Sequence, residues 1–210
     1  MTIDDIELYE MDEQLAYVLG LCYPLYKEIE YDSKKYILGS CNHNKISGEE
    51  LVAHIKAVQS FLKKSHLTEN VLMLDNSIIK VPKKGFSIMI EKNKPYSNIF
   101  KKTVQQILEA NTDIKKMFIR GCFDGRGSWD TSAHYISLDI DRDKHKQDII
   151  NKISSSLGIE LNINNRGKGA EKNDQIRVIK KCVNKFLDEI GLFSECRKNI
   201  IKNNIKLKDS

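Results

Sequence analysis

The sequence has no apolar run long enough to cross a membrane. Its longest run, at 15–23, reaches nine residues, whereas a helix that spans a bilayer needs about 20. The first 13 residues are rich in acids, so they fit neither a secretory signal nor a transit peptide. We therefore expect a cytoplasmic protein that does not engage a membrane.

The sequence also lacks the spacings of several common sites. Its five cysteines include no CxxC pair, and an odd number argues against a disulfide framework or a zinc knuckle. The five histidines show neither HExxH nor the spacing of zinc ligands. The segment GCFDGRG at 121–127 is not followed by the Lys-Ser/Thr pair of a phosphate-binding loop. These absences argue against zinc hydrolases and P-loop enzymes.

The charge of the chain is unevenly distributed. Residues 1–30 carry eight acids and one lysine, whereas residues 142–210 carry sixteen Lys and Arg against nine Asp and Glu. A basic half in a chain of net charge +5 favours a polyanionic partner. The same lysines also serve solubility, so charge alone does not identify that partner.

Hydrophobic periodicity predicts the same order of elements twice. In the first half we expect a helix over 12–24, a strand over 34–41, a helix over 46–64 capped by Ser47, two strands within 71–92 joined by a turn at 82–85, and a helix over 98–110. In the second half we expect helices over 113–125, 143–158 and 182–193, and strands over 134–141, 159–164 and 175–181. Asn111 or Thr112 would cap the first of these helices, and Gly158 would end the second.

The repeated order predicts an α+β protein with an internal duplication. Gly20 and Gly121 occupy matching places in the two halves, 101 residues apart. We place a first lobe at 1–98 and a second lobe at 99–210. One continuous α+β domain whose elements recur by coincidence is the alternative.

The segment FIRGCFDGRGSW at 118–129 resembles the LAGLIDADG motif of homing endonucleases. It combines an apolar helix with a Gly-x-Gly turn that leads into a strand, and LAYVLGLCYPLY at 15–26 resembles the same motif more loosely. The resemblance implies that Gly20 and Gly121 lie where the two motif helices cross, since small residues let helix backbones approach closely. It also implies two lobes related by a pseudo-twofold axis, a saddle of antiparallel strands facing double-stranded DNA, helices on the opposite face, and a monomer.

The resemblance places the acids of the family at positions that hold no acid in this chain. In the family, the last acidic residue of each motif helps to hold divalent metal at the scissile phosphates. Alignment on the two glycines puts Leu25 and Arg126 at those positions. Neither side chain binds Mg²⁺, and a guanidinium pairs instead with phosphate. We expect a DNA-recognising protein with a degenerate cleavage site and no assured cofactor.

Two other functions stay open from the sequence. An active Mg²⁺-dependent endonuclease would need a displaced acid, for which Asp124 is the first candidate, and Glu28, Asp130 and Asp139 are the others. A structural role in the turn is the alternative for Asp124. A function of another class is a protein-interaction or specificity subunit of a nuclease or regulatory complex.

The resemblance also implies where the duplex would be contacted. Strand faces and hairpin tips carry basic residues suited to phosphates or base edges, and we predict as DNA contacts Lys80, Lys83, Lys84, Arg126, Arg166, Lys168, Arg177 and Lys180. Asn42, Asn162 and Asn164 are candidates for base edges, although asparagine on a strand is as often only solvated.

Overall fold

The structure is a computed structural model that describes residues 11–42, 48–62, 71–75, 85–92, 99–130, 135–165, 173–193, 198–199 and 201–203. The first half contains α1 (Glu13–Cys22), β1 (Tyr26–Tyr31), β2 (Lys34–Asn42), α2 (Gly48–Leu62), β3 (Val71–Asp75), β4 (Gly85–Glu91) and α3 (Ile99–Glu109). The second half contains α4 (Thr112–Arg126), β5 (Gly127–Asp130), β6 (Tyr135–Ile140), α5 (Lys144–Ser156), β7 (Leu161–Asn164), β8 (Asp174–Val178) and α6 (Val183–Lys185). A 3-10 turn at Lys180–Cys182 precedes α6, and a wide π-helical turn at Phe186–Ile190 follows it.

The strands form two antiparallel sheets with the same topology. The first sheet has the order β1-β2-β4-β3, and the second has the order β5-β6-β8-β7. In each half a helix leads into the outermost strand, and a second helix connects the two hairpins. The predicted repetition of element order is therefore present in the described strands. The boundary between residues 98 and 99 stays a prediction, and α3, just beyond it, packs against α4 and α5.

Helices α1 and α4 pack against each other at their glycines. A Cβ atom on Gly20 would stand 3.1 Å from the Cα of Gly121 and would overlap the carbonyl oxygen of Phe118. A Cβ atom on Gly121 would meet Gly20 in the same way and would overlap the carbonyl oxygen of Tyr17. Only a residue without a side chain allows this approach at both positions. The backbones of α1 and α4 therefore approach each other most closely where these two glycines lie.

One hydrophobic core extends through both halves. Its side chains come from α1 and α4, from the inner faces of both sheets, and from the C-terminal helical turns, and include Leu19, Ile90, Phe118, Leu138 and Phe186. Alternation along the strands places them there, because every second residue of β6 and β8 points to the helices. Among the described helices, none is long and apolar enough to span a membrane.

Side-chain caps fix the beginnings of three helices. The Asp12 carboxylate accepts a hydrogen bond of 2.7 Å from the Leu15 amide, and the Asn111 side chain accepts one of 3.0 Å from the Ile114 amide. Asp143 caps α5 in the same manner through the His145 amide. Gly158 follows α5 with a positive φ of 69°, as its predicted role at the C-terminus requires. Of the two caps considered for α4, the structure uses Asn111.

The structure adds two strands that the periodicity did not predict, β1 and β5. Strand β1 is an exposed edge strand of sequence YKEIEY, so burial imposes no clear alternation on it. Its hairpin turns at Asp32 and Ser33, both with positive φ, and this turn lacks the Asn-Gly or Asp-Gly pair that usually signals such a hairpin. Strand β8 also ends at Val178, so the prediction of a strand over 175–181 was too long. Ser47 and residues 82–84 of the predicted turn lie outside the described residues.

The end of α1 is attached to the second half of the chain. The amide of Asp141 donates a hydrogen bond of 3.2 Å to the carbonyl oxygen of Pro24. The ammonium group of Lys146, which pairs with the Asp141 carboxylate, lies 4.2 Å from the centre of the Tyr26 ring. Cation–π contact and the ion pair therefore hold the start of β1 against the junction of β6 and α5.

Candidate nucleic-acid interface

The two motif helices end at equivalent points of the fold. Leu25 and Arg126 each lie five residues beyond their crossing glycine, and each directly precedes the first strand of its sheet. Both side chains are half-buried. This match between positions 25 and 126 follows from the order of helix and strand in each half. It supports the alignment of the two motif-like segments on Gly20 and Gly121. Leu25 ends the 3-10 turn Tyr23–Leu25 that follows α1, and Arg126 is the last residue of α4. An apolar side chain and a cation thus stand where the helix pair leads into the two sheets.

The charge of Arg126 reaches the neighbouring helix. The Cys22 thiol, at the end of α1, is completely buried, and burial raises its pKa from 9.0 to about 12, although the Arg126 guanidinium opposes this increase. Burial likewise raises the pKa of Cys122 on α4. Both thiols therefore stay protonated near neutral pH, as expected for cysteines that serve as small core residues.

We expect the stability of the protein to fall as the pH rises above about 9. A thiol with a higher pKa in the folded state favours folding below its unfolded pKa, and this contribution is lost as the pH rises towards about 12. For Cys22 the loss is about 2 kcal/mol at pH 10.5. Urea unfolding at pH 8 and pH 10.5 measures it. Cys22→Ala should reduce this difference in the free energy of unfolding between the two pH values without abolishing it. An unchanged difference in that variant would contradict the prediction.

Asp124, the first candidate for a displaced catalytic acid, lies inside the helix pair. Its side chain is fully buried. Its Oδ2 atom accepts hydrogen bonds of 3.2 Å from the Tyr17 hydroxyl and 3.2 Å from the Phe193 amide. The carboxylate thus joins α1, α4 and the segment after the π-helical turn Phe186–Ile190. This is a structural environment, closed to solvent and to a phosphate backbone.

The other candidate acids do not converge on the helix ends. Glu28 is exposed on β1, where it pairs with Lys92 at 2.7 Å. Asp139 is half-buried on β6 opposite Gln175, and the side chain of Asp130 lies outside the described part of the structure. Within the described residues, no group of three or more His, Cys, Asp or Glu side chains is arranged to hold a metal ion. Leu25 and Arg126 offer no oxygen ligand for Mg²⁺, so the residues at the helix ends do not fit this metal.

The outer face of the second sheet, turned away from the helices, is polar. Pairing in register forms one row from Ser128 through Ser137 and Arg177 to Asn162. The next row joins Asp139, Gln175 and Asn164. Hydroxyl, amide and guanidinium groups of this kind can donate to or accept from the edges of bases.

Arg177 is held on this face by two neighbours. Its guanidinium carbon lies 4.1 Å from the centre of the Tyr135 ring, and its Nε donates a hydrogen bond of 2.9 Å to Oε1 of Gln175. Gln175 in turn donates one of 2.9 Å to the hydroxyl of Ser137, which lies 2.8 Å from the hydroxyl of Ser128. The arginine side chain is therefore oriented before any ligand binds.

The structure brings together only some of the predicted contact residues. Arg177, Asn162 and Asn164 share the outer face of the second sheet, and Arg126 precedes its first strand. Lys180 is exposed in the turn after β8, beyond the sheet. Lys80, Lys83, Lys84, Arg166 and Lys168 lie outside the described residues, as does the side chain of Asn42. A DNA contact by each of these residues stays a prediction.

Sequence reasoning missed Gln175 and Tyr135 as supports of Arg177. Both lie in segments that the sequence predicts as strands, 134–141 and 175–181. Their meeting with Arg177 depends on the pairing of β6 with β8, whose residues are separated by about forty positions in the chain. Only a prediction of which residues of β6 and β8 pair could have shown from the sequence that these side chains meet.

The structure is similar to solved structures of LAGLIDADG proteins. The homing endonuclease I-DmoI, in a crystal structure in complex with DNA and Mn, shares 14% identity with a TM-score of 0.57, covering 87% of this chain and 98% of that chain. Full-length DUF199/WhiA from Thermatoga maritima shares 13% identity with a TM-score of 0.57, and the match covers 97% of this chain and 63% of that chain. The N-terminal LAGLIDADG domain of DUF199/WhiA shares 14% identity with a TM-score of 0.54, over 89% of this chain and 85% of that chain.

No protein-family model matches the sequence, and no curated protein matches it. The likeness therefore lies in the three-dimensional structure. The chain has the LAGLIDADG fold, as its two motif-like segments predicted.

Proposed function

We propose that this chain binds double-stranded DNA, as a monomer, and does not cut it. The observation that carries the proposal is the identity of the two residues where α1 and α4 lead into the sheets. Leu25 and Arg126 stand directly before the two sheets, at the place where metal-holding acids would be needed for cleavage. The chain thus combines a fold found in DNA complexes with an arginine at the end of α4 that is suited to phosphate contact.

Three features support binding to a duplex. Structures of I-DmoI, which has the same fold, are in complex with DNA. The outer face of the second sheet carries polar side chains in regular rows, and alternating polar side chains on strands can contact base edges in the major groove. The basic second half of the chain would attract the phosphates.

Two features argue against cleavage. Metal-assisted hydrolysis of a phosphodiester needs oxygen ligands for a divalent cation, and a guanidinium repels such a cation while pairing well with phosphate. The nearby carboxylate of Asp124 is buried and accepts hydrogen bonds from Tyr17 and Phe193. Its release would disrupt the helix pair before it could reach a metal.

The purified chain should shift duplex DNA in a gel and leave plasmid DNA intact in Mg²⁺ or Mn²⁺. Arg126→Ala should weaken binding to all sequences and reduce the slope of log affinity against log salt by about 1. Lys152→Ala, at an exposed position of α5, is the matched control, and it should leave the salt slope unchanged. Metal-dependent double-strand cuts would refute the proposal of a silent site. Absence of any shift would refute DNA binding and favour a protein-interaction subunit.

A further inference from the structure

The outer faces of the two sheets differ in chemistry although their topology is the same. On the second sheet this face carries hydroxyl, amide and guanidinium groups, together with the carboxylate of Asp139. On the first sheet it carries a small apolar cluster of Tyr36, Leu38 and Met89, with Ile29 and Tyr31 packed against it. The cluster lies on the outer face because side chains alternate along a strand, and the intervening Ile37, Ile88 and Ile90 belong to the main core.

The apolar cluster of the first sheet is not accessible to a ligand. Tyr36 is 4% exposed, Leu38 is 6% exposed and Met89 is completely buried. Leu38 pairs with Met89, and Ile29 pairs with Tyr36, so the cluster occupies the centre of the face. Distinguishing all four base pairs requires hydrogen-bond donors and acceptors, which aliphatic side chains do not have.

Two lysines lie beside this cluster on the outer face of the first sheet. Lys34 forms an ion pair with Glu91 at 3.1 Å, whereas Lys27, opposite Leu38, is exposed. Binding of Lys34 to a phosphate would therefore break its pair with Glu91 and leave that carboxylate facing the duplex. The apolar cluster on this face therefore offers no base contact, and the exposed Lys27 beside it is suited to a phosphate.

Arg177 on the second sheet has the opposite properties. Tyr135 and Gln175 hold its side chain through the ring and the Nε atom, and no described residue accepts a hydrogen bond from its two terminal amino groups. These two groups are the donors that an arginine presents to O6 and N7 of guanine. Because the side chain is already ordered, little conformational entropy is lost when it binds.

We propose that base recognition by the described strands resides in the second sheet, and that Arg177 recognises a guanine. This inference rests on the proposed DNA binding and adds an asymmetry to it. Although the fold has two sheets, the target site would have one specified segment. The first half of the chain would contribute α1 to the helix pair, and its described strands would contact the phosphate backbone at most.

Selection of bound sites from a random duplex pool tests this asymmetry with the full chain. We expect one uninterrupted run of specified base pairs, shorter than about one helical turn of 10 base pairs. Two specified runs separated by unspecified base pairs would overturn the inference while leaving DNA binding intact. Binding without any base preference would overturn it as well, and absence of binding would refute the proposed function together with it.

Variants of Arg177 test the guanine contact. Arg177→Ala should weaken binding to the selected site roughly ten- to a hundredfold and remove the preference for one guanine. Arg177→Lys retains the charge but not the paired donors, so it should lose the same preference while nonspecific affinity stays near that of the wild type.

Lys27→Ala, at an exposed position beside Leu38 on the first sheet, is the control and should change no base preference. A preference altered by Lys27→Ala, or retained by both Arg177 variants, would contradict the inference. Thermal melting of each variant verifies that it is folded.

Discussion

Replacing Gly121 with valine is expected to prevent the protein from folding stably. The new Cβ would overlap the carbonyl oxygen of Tyr17 and stand 3.0 Å from the amide nitrogen of Leu21. Both atoms belong to the backbone of α1, so no side-chain rotation can relieve the overlap, and the helices would have to move apart. The loss in the free energy of unfolding should exceed about 3 kcal/mol, the upper part of the range for overpacking, out of a total of about 5–15 kcal/mol for a typical protein.

Urea unfolding followed by circular dichroism measures the effect of Gly121→Val. Lys115→Val, on the same helix and away from the crossing, controls for the lower helix propensity of valine and should cost less than about 1 kcal/mol. Gly125→Ala should fall between the two, because its Cβ would stand 3.0 Å from the Leu21 carbonyl oxygen. Stability of the Gly121→Val protein equal to that of the Lys115→Val protein would show that the helices do not cross at this glycine.

Replacing Asp124 with alanine should destabilise the protein by about 3 kcal/mol. The substitution removes the acceptor of two hydrogen bonds, those from the Tyr17 hydroxyl and the Phe193 amide, and buried donors that lose an acceptor cost about 1–3 kcal/mol each. The chain after the last helical turn should also become more accessible, since the Phe193 amide is bonded to this carboxylate. Limited proteolysis near the C-terminus measures that second effect.

A double-mutant cycle separates this structural role of Asp124 from a catalytic one. Tyr17→Phe removes the hydroxyl donor and leaves the ring. Because both substitutions remove the same hydrogen bond, the double mutant should be destabilised by about 1 kcal/mol or more less than the sum of the two single mutants. Asp124→Asn retains an acceptor and should cost less than alanine. If Asp124→Asn were fully stable but lost a metal-dependent nicking activity, the acid would be catalytic and the structural role would be wrong.

The segment bound by Asp124 is also held from a second side. Nε of Arg120 donates a hydrogen bond of 2.6 Å to the carbonyl oxygen of Ile190, and its guanidinium lies 5.2 Å from the centre of the Phe193 ring. The same ring meets Tyr17 edge-on, with centroids 4.9 Å apart. Asp124 therefore stands between two aromatic residues from opposite ends of the chain, which explains why its removal should affect both the core and the C-terminal segment.

Local chemistry made part of this structure predictable. The cap at Asn111 and the glycine after α5 depend on residues a few positions apart, so short segments contained the necessary information. Strand β1 was missed because an exposed edge strand has no buried face to impose alternation on its sequence. The two motif-like segments predicted the fold family, because a glycine at a helix crossing is required wherever two backbones approach so closely.

The sequence by itself determined the order of the elements other than β1 and β5, the glycines Gly20 and Gly121 of the two motif helices, and the absence of acids at positions 25 and 126. These features follow from periodicity, residue size and residue type along the chain. Only the tertiary structure decided that Asp124 is buried against Tyr17 and Phe193, and that Arg177 is supported by Tyr135 and Gln175. Such contacts join residues brought together by strand register and helix packing, which depend on the fold as a whole. The contrast between a polar second sheet and a closed apolar first sheet arises in the same way, because burial on an outer face depends on what packs over it.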